Sequence, residues 1–223
     1  MFKRETPKAA ATAQRILQVA LERFRSHGFD ATSMRDIAKA AGVATGAAYY
    51  YYESKEALVM AFYQTASQEM QPLLRVAMGE PGRFEERLSR LIQAKLDYFA
   101  PNRSVLRALL RSGVDPSHPL SPFSDETKPI RDTDLAWFDK LLETSDVTVP
   151  ADLRPELPGL LWMFQMGVIY LWVTDESPSQ RRTRLVLELG ANAVSGLLRL
   201  SNLPFTGSLR RQALELIQAV KGV

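Results

Sequence analysis

The sequence predicts an all-α fold, and three observations carry that expectation. Apolar residues recur at three- and four-residue steps through most of the 223 residues. No stretch alternates convincingly between apolar and polar, and there is no Asn-Gly hairpin signal. Capping and breaking residues such as Ser33, Gly42, Ser54, Pro101 and Pro178 sit where the periodic runs stop. No internal repeat is visible.

The elements follow in order. From Ala13, the residues Ile16, Leu17, Ala20, Leu21 and Phe24 form the stripe of an amphipathic helix that His27-Gly28 stops. Residues 1–11 carry Lys3, Arg4 and Lys8 with no apolar run behind them, so they read as a short basic arm and not as a signal peptide. Ser33-x-x-Asp36 has the form of a capping box and opens a short helix with Met34, Ile37, Ala38 and Ala41 on its apolar side. Gly42 breaks it, and a third short helix spans Ala44 to Tyr52. Ser54 caps a fourth that carries Leu58, Phe62 and Met70 and is expected to bend or end near Pro72. Phe84 to Ala100 and Arg103 to Gly113 follow as helices. Asp115 to Pro129, with four prolines, reads as an irregular loop for which flexibility is expected. Arg131 to Glu143, Leu160 to Val173, Arg181 to Leu200 and Ser208 to Val220 complete the set.

Composition narrows the class. With 46% hydrophobic and 24% charged residues, the chain is neither disordered nor fibrous. It has no cysteine, which removes disulfides, thiolate metal sites, iron–sulfur clusters and a cysteine nucleophile, and makes the cytoplasm the expected location. Charge is unevenly placed: residues 1–55 hold nine Lys/Arg against five Asp/Glu, the remainder nineteen against twenty. A basic N-terminal quarter on a near-neutral body suits contact with a polyanion.

Leu157 to Thr174 is uncharged for 18 residues, the lower edge of a bilayer span. Its Pro158, Gly159, Gln165 and Gly167 and its acidic flanks (Glu156, Asp175, Glu176) argue against a membrane and for burial, in a core or between subunits. The next helix supports the subunit version. Val186, Leu189, Ala193, Leu197 and Leu200 form a seam, and Gly190 with its small neighbours admits a close helix, so a homodimer with a four-helix interface is expected. Packing within one monomer is the alternative.

Three short helices with a glycine turn between the second and third, all in the basic part, form the arrangement of a helix-turn-helix DNA reader. In the third helix, Tyr49, Tyr50, Tyr51 and Tyr52 advance about 100° per residue, so at least two rings are left for solvent or a partner. Gly46 weakens a helix by about 1 kcal/mol relative to Ala, which makes sense where its backbone must come close to the duplex. Ala47 and Ala48 are small enough for a major groove and able to touch a thymine methyl. Lys55 opposes the dipole at its helix start, yet with the free N–H groups there it makes a phosphate site. Thr32 and Ser33 offer a second, and Arg35 suits guanine O6 and N7. Each has a plainer alternative: Ser33 as a cap only, Tyr52 as core, Arg35 paired with a surface carboxylate.

Together, Arg15-Ile16-Leu17, Ala20, Phe24, Gly28-Phe29, the run Thr32 to Ala38, Ala41-Gly42-Val43, Gly46, Tyr49 to Tyr52 and Ser54 to Leu58 closely resemble the N-terminal domain of the TetR family of transcriptional regulators. That resemblance implies an all-α homodimer: an N-terminal three-helix DNA-binding domain (1–55), joined by a linking helix to a larger helical domain (56–223) that binds a small molecule and dimerises. It implies that the third helix reads DNA, that Tyr49 and Lys55 contact phosphates, and that Arg35, Thr45, Ala47 and Tyr50 lie nearest the bases. The sequence departs from the family pattern at Ala44, where Ser is frequent, and at Tyr50, where His is common; Thr45 is then left to cap the third helix. Beyond residue 75 the resemblance carries almost nothing.

The expectation is a ligand-responsive regulator, a repressor that holds a palindromic operator and is released by a small apolar or aromatic effector. Tyr63, Met70, Tyr98, Phe99, Trp137, Trp162, Met166 and Tyr170 supply aromatic and methionine material for its pocket. An effector-independent DNA-binding protein and a helical carrier of apolar ligands are the alternatives. An enzyme is disfavoured: His27 and His118 are the only histidines, neither has a nearby Ser or a paired-carboxylate pattern, and no phosphate loop, cofactor motif or metal-ligand spacing is present.

Overall fold

The computed structural model describes residues 6–110 and 115–221, with no strand among them. Lys3, Arg4 and the expected helical residues Arg111 to Gly113 lie outside the described residues. The helices are α1 (Pro7–His27), α2 (Met34–Ala40), α3 (Thr45–Tyr51), α4 (Lys55–Gly79), α5 (Phe84–Phe99), α6 (Arg103–Leu109), α7 (Lys128–Glu143), α8 (Leu157–Thr174), α9 (Arg181–Ser201) and α10 (Gly207–Lys221). They fall into two compact units: one of residues up to Glu69 with Phe99–Arg131, the other of Met70–Tyr98 with the chain from Asp132 onward.

In the first unit, α1 starts earlier than its apolar stripe suggested. Thr6 accepts from the amide of Ala9 at 3.3 Å, and Pro7, whose missing N–H costs nothing in a first turn, follows it. Lys8 is therefore helical, not part of an extended arm. α1 ends at Gly28, whose φ of 89° stops the helix. Ile16, Ala20 and Phe24 of α1 pack into a core with Met34, Ile37, Ala38 and Ala48, all buried.

The proline-rich stretch after Asp115 is irregular as expected, but a buried hydroxyl scaffold ties it down. The Thr127 hydroxyl donates to the Ser121 carbonyl at 2.7 Å, and that of Ser124 to the Pro119 carbonyl at 3.0 Å. Leu120, Ser121, Ser124 and Thr127 are all buried. The segment turns four times without a free amide at Ser121, Ser124 or Lys128.

α4 does not end at Pro72; it continues to Gly79. Pro72 and Gln68, whose carbonyl the proline leaves without its helical donor, are both exposed, on the side of the helix where solvent can replace that donor. Met70 and Leu74 hold the opposite side in the core.

In the second unit, α5 buries Leu88, Leu91, Ile92 and Leu96, α7 contributes Trp137, Phe138 and Leu141, and α8 contributes Leu161, Trp162, Val168 and Trp172. α8 is long and apolar enough, by length and composition, to cross a membrane. It is not buried on all sides within the chain: Leu160, Met163 and Tyr170 lie exposed on one stripe. α9 begins where Asp175 accepts from the amides of Ser177 and Thr183, each at 2.9 Å, and from the Thr183 hydroxyl at 2.7 Å.

Candidate nucleic-acid interface

The local sequence builds a helix-turn-helix around α2 and α3. The Ser33 hydroxyl accepts from the Asp36 amide at 3.2 Å, while the Asp36 carboxylate accepts from the Ser33 amide at 3.0 Å and hydroxyl at 2.6 Å, a complete capping box. The bonds from the Ser33 side chain and backbone hold the Asp36 carboxyl below its ordinary range. Gly42 adopts a φ of 65°, and the Val43 amide closes the turn on the Ala38 carbonyl at 3.0 Å. α3 then leaves with Ala44 at its N-cap and no side-chain cap; Thr45 lies inside the helix and supplies none.

One side of α3 is fixed by Ala48, fully buried, which cannot therefore meet a thymine methyl. The other side is open. Tyr49 is 50% and Tyr50 67% exposed, Thr45 and Gly46 are exposed, and Ala47 is half-buried. Tyr51 is half-buried, with the Tyr50 ring edge-on to it at 5.3 Å. Tyr52 turns inward, its hydroxyl donating to the Ala13 carbonyl at 3.2 Å. A Cβ added to Gly46 would meet nothing within 4 Å, so the protein's own packing does not demand glycine there. Arg35 and Ser33 lie exposed at the start of α2.

Two expected phosphate contacts are used inside the fold. Thr32 is buried and its hydroxyl donates to the Gly28 carbonyl at 2.7 Å. The Lys55 ammonium donates to the Phe29 carbonyl at 2.8 Å and stands 4.5 Å from the centre of the Phe29 ring.

The chain matches the model of bacterial regulatory proteins of the tetR family over residues 16–62, and that of the tetracyclin repressor-like C-terminal domain over residues 87–212. The second match alone covers more than half of the chain. The chain belongs to the TetR family. Curated relatives match over a part of the chain. The HTH-type transcriptional regulator AcrR of Shigella flexneri is 43% identical over 58 residues, 26% of this chain and 27% of that protein. The HTH-type transcriptional repressor KstR2 of Mycolicibacterium smegmatis is 39% identical over 56 residues, 25% of this chain and 27% of that protein. These matches thus span about a quarter of each relative's length. The TetR fold extends over most of the chain: the fatty acid degradation regulator FadR of Bacillus halodurans superposes with a TM-score of 0.63 at 19% identity, over 88% of this chain and 99% of that one. FadR of Bacillus subtilis, solved with stearoyl-CoA, superposes with a TM-score of 0.60 at 18% identity, over 79% and 98%.

The expected effector residues belong to both units. In the first unit, Tyr63 is half-buried, desolvation lifting its phenol above the ordinary range, and Phe99 stacks edge-on against Phe62 at 5.9 Å. In the second, Met70, Trp137 and Trp162 are buried, Tyr98 and Met166 half-buried, and the Trp137 indole donates to Gln71 at 3.2 Å. Tyr170 belongs instead to the exposed stripe of α8. Sequence reading missed the polar centre of this unit: buried Lys95 lies 2.9 Å from Asp134 and donates to Gln165 at 2.6 Å, and Gln165 donates to Asp134 at 2.9 Å. The available signal was that Lys95 falls on the stripe of Leu88, Leu91 and Ile92.

Of the expected dimer residues, Val186, Leu189, Ala193, Leu197 and Leu200 are all exposed on α9. Gly190 is not part of that surface in the sense expected: a Cβ there would lie 2.6 Å from the Phe164 ring of α8 in the same chain. Its missing side chain makes room for that ring.

Proposed function

We propose that this TetR-family chain is a ligand-responsive DNA-binding regulator. In this reading it represses by holding a palindromic operator as a cytoplasmic homodimer, and a small apolar or aromatic effector releases it. Residues 1–55 meet DNA and residues 56–223 carry the effector site and the dimer contacts. No enzymatic step, metal or cofactor enters the mechanism.

The observation that carries this reading is the outer side of α3. Two tyrosines stand in solvent beside an exposed glycine that the fold does not need, on a helix whose opposite side is locked by Ala48. Large exposed aromatic rings mark contact surfaces, and a helix of this kind with a small-residue approach suits the major groove. Ser33, Arg35, Thr45, Ala47, Tyr49, Tyr50 and Tyr51 are the side chains assigned to DNA. Lys55 and Thr32 act chiefly by fixing the turn that positions them. The exposed leucines of α9 and the stripe of Leu160, Met163 and Tyr170 on α8 support the dimer, because an apolar surface of this kind is covered in a stable protein.

A dimer reads a palindrome when its two recognition helices stand about 34 Å apart. An effector that favours another spacing weakens the operator complex, and the operator weakens effector binding by the same factor. The test is selection of a binding duplex from a random pool, followed by a salt titration. Enrichment of a palindrome whose affinity falls by about 0.9 log units per log unit of salt for each phosphate contacted supports the reading. Failure to enrich any sequence, with salt-independent binding, sinks it. Candidate effectors are then titrated against the selected duplex, with stearoyl-CoA as one amphipathic probe that carries a long apolar chain.

A further inference from the structure

The second unit holds a charged pair where its helices otherwise bury apolar side chains. Lys95 falls on the α5 stripe of Leu88, Leu91 and Ile92, its side chain 2% exposed. Its ammonium lies 2.9 Å from Asp134 of α7 and donates to the side-chain oxygen of Gln165 of α8 at 2.6 Å, while the Gln165 amide donates to the other Asp134 oxygen at 2.9 Å. An ammonium has three N–H donors. Two are used in this ring; the third has no hydrogen-bond acceptor among the described residues, and the cation stands 5.2 Å from the centre of the Phe138 ring.

Helical spacing sets aromatic rings beside each member. Tyr98 follows Lys95 by three residues, Trp137 follows Asp134 by three, and Trp162 precedes Gln165 by three, about one turn along the same side of each helix. Trp137 and Trp162 are buried and Tyr98 is half-buried. A buried ion pair adds little stability over apolar residues of the same size, so the fold itself does not require this one. A few convergent polar groups within an aromatic shell are the chemistry of a ligand site.

Exposure is graded across the ring. Lys95 and Gln165 are enclosed, whereas the Asp134 side chain is 17% exposed. Asp134 is therefore the member that can turn outward and regain water. Desolvation draws the Lys95 pKa below its ordinary value, and the charge and hydrogen bond of Asp134 oppose that, so the ammonium depends on a carboxylate beside it. We propose that Lys95 reads the charge of the effector: the carboxylate of an apolar acid takes the place of Asp134 on the ammonium and on the Gln165 amide, with its apolar body against Tyr98, Trp137 and Trp162. The proposal rests on the ligand-responsive reading above and adds an acidic group to the effector. The same ammonium repels a cationic molecule, and a neutral one does not replace the charge that Asp134 supplies.

The test measures binding of octanoate and naphthoate to the full chain by calorimetry, with octanol and naphthylmethanol as neutral counterparts, and the release of the selected duplex by each. Each acid should bind about tenfold or more tightly than its alcohol, the gain of a hydrogen bond to a charged group. Asp134→Asn keeps the shape of the side chain and removes the competing charge, so it should bind the acids about tenfold more tightly still. Lys95→Met/Asp134→Leu should bind acid and alcohol alike. A merely structural ion pair would not sort the probes by charge. Either variant decides alone: acid affinity unchanged in Asp134→Asn, or acid preference retained in the double variant, overturns the proposal while leaving a ligand-responsive regulator standing. Equal binding of acids and alcohols by the unaltered chain, or no binding of any of the probes at millimolar concentration, overturns it too. A duplex that no candidate effector releases overturns the ligand response and the proposal together.

Discussion

The Lys55 ammonium donates to the carbonyl oxygen of Phe29 at 2.8 Å while standing 4.5 Å from the centre of the same residue's ring. One cation thus ties the start of α4 to the turn that follows α1, using a backbone acceptor and an aromatic ring 26 residues upstream. Replacing it as Lys55→Met should lower stability by about 1–2 kcal/mol in chemical denaturation, the sum of one charged hydrogen bond and a partly exposed cation–π contact. Loss of DNA binding without any change in the denaturation midpoint would instead assign Lys55 to the phosphates alone.

Gly46 separates stability from recognition. Since an added Cβ meets nothing within 4 Å, Gly46→Ala should raise stability by about 0.5–1 kcal/mol through helix propensity. The same methyl should obstruct close approach of α3 to the duplex and weaken operator affinity about tenfold or more. Equal operator affinity in the two proteins, measured by anisotropy, would remove Gly46 from the interface.

The Lys95–Asp134 pair should behave as a buried ion pair. Asp134→Ala leaves the ammonium of Lys95 without its counter-ion in an apolar surround, beside Phe138, and should cost about 3–5 kcal/mol. Removing both charges as Lys95→Met/Asp134→Leu should recover most of that loss. A double variant as unstable as the single one would mean that the pair's packing, not its charge, matters.

Asp175 gives the acid limb of the stability curve a specific origin. Burial alone would raise its pKa, but the bonds from Ser177 and Thr183 outweigh that and hold the carboxyl well below the ordinary range. A carboxyl depressed in the folded state contributes stability that is complete above its unfolded pKa of about 3.9 and is lost as pH falls below it. Melting temperature should therefore drop between about pH 5 and pH 2 more steeply in the unaltered chain than in Asp175→Asn. Parallel curves for the two proteins would contradict this assignment.

Local signals in the sequence were read well where the partner is a near neighbour. The Ser33–Asp36 capping box and the Gly42 turn appear in the structure as their residue types suggested, since each involves groups a few residues apart. The rule that four successive tyrosines cannot share one side was likewise enough to leave two rings in solvent. Sequence does not say which of two small neighbours faces inward, so Ala48 and Ala47 were indistinguishable until α3 was set on α2. Nor does it reveal that the hydroxyl of Thr32 and the ammonium of Lys55 have carbonyl partners inside the fold. Lys95 and Gln165 lie 70 residues apart, beyond the reach of any periodicity argument. Gly190 shows the same limit: smallness signals close approach, but only the path of α8 shows that Phe164 is what approaches.

The hydroxyl scaffold between Pro119 and Thr127 has one more consequence. An endoprotease must draw several residues of extended chain into its cleft, and here the amides of Ser121 and Ser124 are already spent on turns, the hydroxyls of Ser124 and Thr127 anchor the backbone from within, and prolines interrupt the strand a protease requires. This length of polypeptide, the most loop-like in composition, is built to resist cleavage as long as the helices beneath it stay folded.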